Sequence, residues 1–260
     1  MSAAAHERTV TVEGRRLEVA VHARDGSRVP LVLLHEGLGS VTMWREFPMR
    51  LADATGRTTI VYSRYGYGDS DVLQQPRDID YMHHEGRAVL PALLDALDVP
   101  EAVLFGHSDG ASIALLAAAA HPRRVRALVL EAPHVFVEDL TVASIARVRD
   151  AYAAAGDTLR RKLARYHRDA DATFRGWNDI WLDPRFRAWD IAAGLEAVEA
   201  PVLVVQGNDD EYGTRAQADA IASRARHASV TLLDACGHSP HRDRPDAVLE
   251  TVERFLAALP

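Results

Sequence analysis

Apolar residues in this chain come in short unbroken bursts, and helically spaced stretches lie between many of them. Thr9–Val12 and Leu17–Ala23 read as two strands around a turn at Glu13-Gly14. Leu31–Leu34, Thr58–Tyr62, Ala102–Phe105, Ala127–Leu130, Val202–Val205 and Val230–Leu233 are bursts too short for helices and free of charged residues, the pattern of strands buried on both faces. Between them, Tyr81–Leu97, Ala111–Ala120 and Ala247–Leu256 carry helical spacing or helix-forming composition. The alternation predicts an α/β protein with a mostly parallel sheet covered by helices on both faces, the leading strand pair forming an antiparallel edge. One region breaks the rhythm. Pro133 to Pro201 contains no good strand, and Thr141–Ala155, Thr158–Trp181 and Arg185–Val198 read as helices, the last interrupted by Gly194. Three of the four tryptophans, Trp177, Trp181 and Trp189, fall there. The segment reads as a helical insertion over one edge of the sheet, too embedded to be an independent domain.

Composition narrows the function classes. A net charge of −7 argues against nucleic-acid or anionic-membrane partners. The single cysteine, Cys236, excludes an internal disulfide, so nothing demands an oxidising compartment. The start, MSAAAHERTVTVEG, has no apolar signal core, and no stretch reaches the ~18 apolar residues of a membrane span. A cytoplasmic protein is the default expectation. Basic residues that are almost all arginine, together with the alanine content, suggest a bacterial source.

The chemistry begins at Gly106-His107-Ser108-Asp109-Gly110, a G-x-S-x-G run between a predicted strand and a predicted helix. A serine on such a sharp turn projects its hydroxyl above the sheet, and the crowded flanking positions favour glycine. The helix N-terminus behind it favours developing negative charge. A serine needs a base, and the base an orienting acid. Gln206-Gly207-Asn208-Asp209-Asp210-Glu211 follows one strand, and Asp234-Ala235-Cys236-Gly237-His238-Ser239-Pro240-His241 follows another. Both lie at strand carboxyl ends, where open α/β sheets hold their sites.

HEGLGS, SRYGYGDS, GHSDG, GNDDEYG and CGHSPHRDRP occur in that order along the whole chain. In these motifs the chain resembles the α/β-hydrolase family, of the lactonase, esterase and carbon–carbon hydrolase type. The resemblance implies the α/β-hydrolase fold, with a core at 1–133 and 201–260 and a helical cap insertion at 134–200. It implies Ser108 as nucleophile, His238 as general base and acid, and Asp210 as orienting acid, with Asp209 the competitor. It also implies an oxyanion hole from the backbone N–H groups of Gly37 and Asp109, and no cofactor. Two positions depart from the family pattern. Ser63 stands where an aspartate is common and reads as structural. Glu36 stands where the oxyanion loop commonly has a glycine. Its carboxylate has three options: bonding loop amides, holding a water, or meeting a polar substrate group.

Glu36, Leu38, His134, Trp177 and Trp181 are the substrate-pocket candidates, although the tryptophan spacing equally suits core packing. No further His/Cys/Asp spacing supports a metal site; His241 reads as a helix-start or surface residue, and His107 as packing beneath the serine turn. Cys236 reads as a small buried thiol. The expected activity is cofactor-independent serine hydrolysis of a small ester, lactone, thioester or activated C–C bond, by a monomer or homodimer. Two rivals are a lyase of the 2-succinyl-cyclohexadiene carboxylate synthase kind, using the same residues for proton abstraction, and a non-catalytic small-molecule binder.

Overall fold

The computed structural model describes residues 6–154 and 158–259. Eight strands form one sheet in the order β1-β2-β4-β3-β5-β6-β7-β8. They are β1 His6–Val12, β2 Arg15–His22, β3 Leu31–Leu34, β4 Thr59–Tyr62, β5 Ala102–His107, β6 Val125–Glu131, β7 Val202–Gly207 and β8 Ala228–Leu233. β1 and β2 pair antiparallel, as do β2 and β4; the other pairings are parallel. The β1–β2 turn places Glu13 (φ 49°) and Gly14 (φ 75°) in the left-handed region, as a tight hairpin between twisted strands requires. All eight expected strands are present. Several extend further than their apolar bursts, because pairing continues through polar residues such as Glu131 and Gln206.

Alternate strand residues enter two separate cores. Val32, Leu34, Leu104, Leu128, Leu130 and Val204 face one side, under α2 (Tyr81–His84), α3 (Leu90–Ala96), α4 (Asp109–Ala120) and α8 (Arg215–Arg224). Leu31, Leu33, Val61, Phe105, Val129 and Val205 face the other, under α1 (Phe47–Thr55) and α10 (Pro245–Ala257). α1 and α8 were not anticipated from the pattern; α8 in particular buries only Gln217, Ala218 and Ile221.

The expected helix over 81–97 carries a π turn at Glu85–Val89. Pro91 explains the irregularity. It has no N–H for the carbonyl four residues back, Arg87, and its ring crowds that carbonyl. Arg87 O instead accepts from His121 Nε2 at 2.8 Å.

Between β6 and β7 lie α5 (Asp139–Ala153), α6 (Thr158–Leu163) and α7 (Ala170–Trp181), followed by 3₁₀ turns at Pro184–Ala188 and Ala192–Ala197. Ala155, the expected end of the first of these helices, lies outside the described residues. The expected helix over 158–181 is two helices. Asp169 caps the second by accepting from Ala172 N at 2.9 Å. His167 turns inward at the break; its Nδ1 accepts from Gly68 N and its Nε2 donates to Leu38 O, both at 2.9 Å. The expected helix over 185–198 is only the two 3₁₀ turns, because Asp190 leaves the helical path to bridge with Phe136 and accepts from Ala192 N. These elements reach the carboxyl end of the sheet: Thr173 Oγ1 donates to Gly66 O, and Trp181 Nε1 to Asp109 Oδ1. Among the described residues, no helix is long and apolar enough to cross a membrane. α9 (Pro240–Asp243) is a single turn before α10.

Candidate active site

Ser108 sits between β5 and α4 at φ 54°, ψ −117°, a conformation that costs a non-glycine residue ~1–3 kcal/mol. The flanking glycines make the turn possible. A Cβ on Gly106 would stand 2.4 Å from Gly110 O, and one on Gly110 would stand 2.1 Å from Leu34 O. The close approach of α4 to β3 and β5 therefore fixes both positions as glycine.

The structure brings Ser108, His238 and Asp210 into one hydrogen-bonded line. Ser108 Oγ lies 3.0 Å from His238 Nε2, and His238 Nδ1 lies 2.8 Å from Asp210 Oδ1. Asp210 Oδ1 also accepts from Tyr212 N at 2.8 Å and Gly213 N at 3.2 Å. Burial works to raise the Asp210 pKa, but the hydrogen bond and charge of His238 and the Tyr212 N–H outweigh it, holding the carboxyl below its usual range. Asp209, the competitor, is exposed.

The N–H groups of Gly37 and Asp109 meet no acceptor among the described residues. The Asp109 side chain points away into the protein, where it accepts from Tyr81 Oη at 2.8 Å and Trp181 Nε1 at 3.2 Å, with buried Arg64 3.9 Å away. Gly37 is pressed by Trp177: a Cβ there would stand 2.1 Å from the indole Nε1.

The Glu36 carboxylate lines the cavity over Ser108 and accepts from no loop amide among the described residues. Its Oε2 lies 3.7 Å from His107 Nδ1 and its Oε1 3.6 Å from Arg242. The loop backbone is secured without it, since Arg64 Nη2 donates to Glu36 O at 2.9 Å and Gly39 N to the same carbonyl at 3.1 Å. Ser63 Oγ donates to Glu18 Oε2 at 2.6 Å and accepts from Val41 N at 2.9 Å.

A cavity of about 240 Å³ opens over Ser108 and His238. All five pocket candidates, Glu36, Leu38, His134, Trp177 and Trp181, line it. His134 packs between Trp181 and His238, ring centroids 5.2 and 5.5 Å away. Burial first, then the neighbouring His238, pushes its pKa down to about 3, so the ring is neutral. Three lining residues on α5, Thr141, Ile145 and Val148, were not anticipated, although their helical spacing was a legible signal. Tyr212, whose ring lies 4.7 Å from that of His238, was missed as well. A larger cavity, about 740 Å³, lies between the β1–β2 hairpin and residues 71–80, and none of Ser108, His238 and Asp210 lines it.

His241 is not a surface residue. It is buried against Trp44 and Phe47, and its Nδ1 lies 2.6 Å from Glu131 Oε2. Glu131, buried at the end of β6, carried no sequence signal. His107, Glu131 and His241 crowd their ligand-capable atoms within 4.8 Å of one another. The hydrogen bonds of His107 Nε2 to His238 O and of His241 to Glu131 already occupy the group, so we assign it no metal. Cys236 is buried, and burial pushes its thiol up to about 12, leaving it unreactive.

A family model described as "Alpha/beta hydrolase family" matches residues 31–251. The chain is 26% identical to a 2-hydroxymuconate semialdehyde hydrolase of Pseudomonas sp. strain CF600, over 89% of this chain and 88% of that protein. It is also 26% identical to a proline iminopeptidase of Lactiplantibacillus plantarum, over 90% and 94% respectively. The solved structure of a proline iminopeptidase from Mycobacterium smegmatis superposes with a TM-score of 0.77 at 21% identity, covering 97% of this chain and 98% of that one.

Proposed function

The chain belongs to the alpha/beta hydrolase family and is an enzyme of hydrolase type, and from that premise we propose a serine hydrolase working through Ser108, His238 and Asp210. The observation that carries this reading is the continuous Ser108–His238–Asp210 hydrogen-bond line ending beneath a cavity. In the proposed reaction, His238 Nε2 takes the Ser108 proton as Oγ attacks a substrate carbonyl. The N–H groups of Gly37 and Asp109 receive the oxyanion, each worth ~3 kcal/mol in such a site. The His238 imidazolium, held in orientation by Asp210, returns the proton to the leaving group. Water then enters, His238 takes its proton, and the acyl group leaves Ser108.

The helical segment 134–200 acts in this reading as a cap over the core formed by 1–133 and 201–260, supplying Thr141, Ile145, Trp177 and Trp181 to the cavity walls. The cavity suits a small, partly apolar acyl group. Among the described residues no arginine or lysine lines it, and the acidic Glu36 and Glu211 do, so the lining disfavours a substrate carboxylate. We therefore favour an uncharged ester, lactone, thioester or activated C–C substrate.

A fluorophosphonate probe and a panel of nitrophenyl esters, lactones and acyl-thioesters test the reading, with Ser108→Ala as control. The wild type is expected to be labelled at Ser108 and to turn over at least one uncharged ester, while the variant does neither. A wild type that is unlabelled and never exceeds the variant would sink it. Solvent ¹⁸O in the released acid distinguishes hydrolysis from lyase chemistry on the same residues.

A further inference from the structure

Three loops meet beneath the His238 ring. Glu36 comes from the loop after β3, His107 from the end of β5 and His238 from the loop after β8. His107 is fully buried, and its Nε2 lies 2.6 Å from the backbone oxygen of His238. A carbonyl can only accept, so Nε2 carries a hydrogen. The other nitrogen, Nδ1, is buried without a hydrogen-bond partner, with Glu36 Oε2 3.7 Å away. A neutral ring would turn a lone pair toward that carboxylate; a second proton converts the repulsion into an ion pair. The loop is shaped around this arrangement, since a Cβ on Gly39 would stand 2.1 Å from Glu36 Oε2.

We infer that Glu36 is a positioning residue: with the buried His107 as an imidazolium, it forms a half-buried ion pair that ties the oxyanion loop to the backbone carbonyl of the catalytic histidine. The inference rests on His238 being the general base proposed above. Charge directions agree with the geometry. Burial works to lower the His107 pKa, but Glu36 outweighs it and the pKa is raised. Burial works to raise that of Glu36, but His107 first and then Arg242 hold it well below the usual carboxylate range.

The pair acts on His238 in two ways. It fixes the height of the loop from which the ring reaches Ser108. It also sets a positive charge against the ring, centroid to centroid 5.3 Å, which disfavours a second positive charge there. The other ionisable groups in this neighbourhood are Asp210, bonded to His238 Nδ1; Glu211, whose Oε2 lies 3.2 Å from His238 N; neutral His134; and the Glu131–His241 pair beside His107. Tyr212 stacks near the His238 ring, and Arg242 faces Glu36. Removing the charge on His107 therefore takes a positive neighbour away from the His238 ring, and the change in field is larger when Glu36 stays behind as a bare anion than when it too is neutral.

The test uses the full chain, wild type and the variants Glu36→Gln, Glu36→Asp and His107→Gln. ¹⁵N NMR titration of the histidine rings is read beside the pH profile of nitrophenyl acetate hydrolysis. The expected wild-type result is a doubly protonated His107 at neutral pH. The acid limb of kcat/KM should move to higher pH in the order wild type, Glu36→Gln, His107→Gln, as the positive charge beside the catalytic ring is lost. kcat in Glu36→Gln should fall on the order of tenfold with KM little changed, and Glu36→Asp should recover part of the loss. A neutral His107 in the wild type overturns the inference, and so does a folded Glu36→Gln whose acid limb and kcat match wild type. If His107→Gln does not fold, the wild-type ring charge and Glu36→Gln still decide. If nitrophenyl acetate is not hydrolysed and Ser108 takes no phosphonate, the catalytic reading fails, while the NMR charge state still reports on the ion pair.

Discussion

Two neighbouring aspartates show how much one position along a loop matters. Asp210 is almost enclosed and receives His238, Tyr212 N and Gly213 N; Asp209 is exposed one residue earlier. The expected outcome of Asp210→Asn is a fall in kcat on the order of 10⁴-fold, because an amide in place of the carboxylate favours the wrong His238 tautomer. Asp209→Asn should leave kcat within about twofold of wild type, since an exposed group this far from the ring acts only through screened charge. Comparable losses from both variants in steady-state kinetics would mean that the loop rearranges in solution. The motif GNDDEYG limits the acid to this stretch but does not rank its two aspartates by direction, since direction depends on how the chain turns after β7.

At the scale of elements, the segment between β6 and β7 departs most from its sequence pattern. Helical spacing ran through 158–181, yet the chain breaks at His167, whose ring bonds Gly68 N and Leu38 O on two other loops. Those long-range bonds outweigh local propensity, which is worth only tenths of a kcal/mol per residue. The restart at α7 depends on the Asp169 cap. Asp169→Ala should cost about 1 kcal/mol in urea unfolding. Because α7 carries Trp177 and Trp181 into the cavity, the same variant should raise KM more than it lowers kcat. A stability loss with unchanged KM would show that the tryptophans hold their places without the first turn of α7.

For the whole molecule, buried neutral histidines set the response to acid. His35, His134, His167 and His241 all have lowered pKa values, burial being the largest cause in each. In the unfolded chain they take up protons near pH 6.5, whereas folded His134 does so only at about 3. The unfolded state therefore binds more protons across that interval, and stability falls as pH drops through it. Glu36 and Asp210, with lowered pKa values, lose their contribution in the same direction at lower pH; His107, with a raised one, opposes them. Thermal unfolding should show Tm declining steadily from pH 7 to pH 4. A flat Tm over that range would mean that these histidines are not buried neutral in solution.

The sequence alone determined the sheet, its two-sided burial and the loops that carry the chemistry. Period-2 alternation between two apolar cores and a sharp glycine-flanked turn are local consequences of backbone geometry. Resemblance in its motifs also pointed to Asp210 over Asp209 as the acid now proposed, and the sequence named the pocket candidates that line the cavity. Tertiary structure alone decided how the Asp210 carboxylate meets His238, where the helices between β6 and β7 break, and where Glu36 points. Each of these depends on atoms brought together from distant parts of the chain: Asp210 with His238, His167 with Gly68, and Glu36 with His107. The buried Glu131–His241 pair belongs with them, because burial turns two ordinary polar residues into partners only once the sheet and α9 have closed around them.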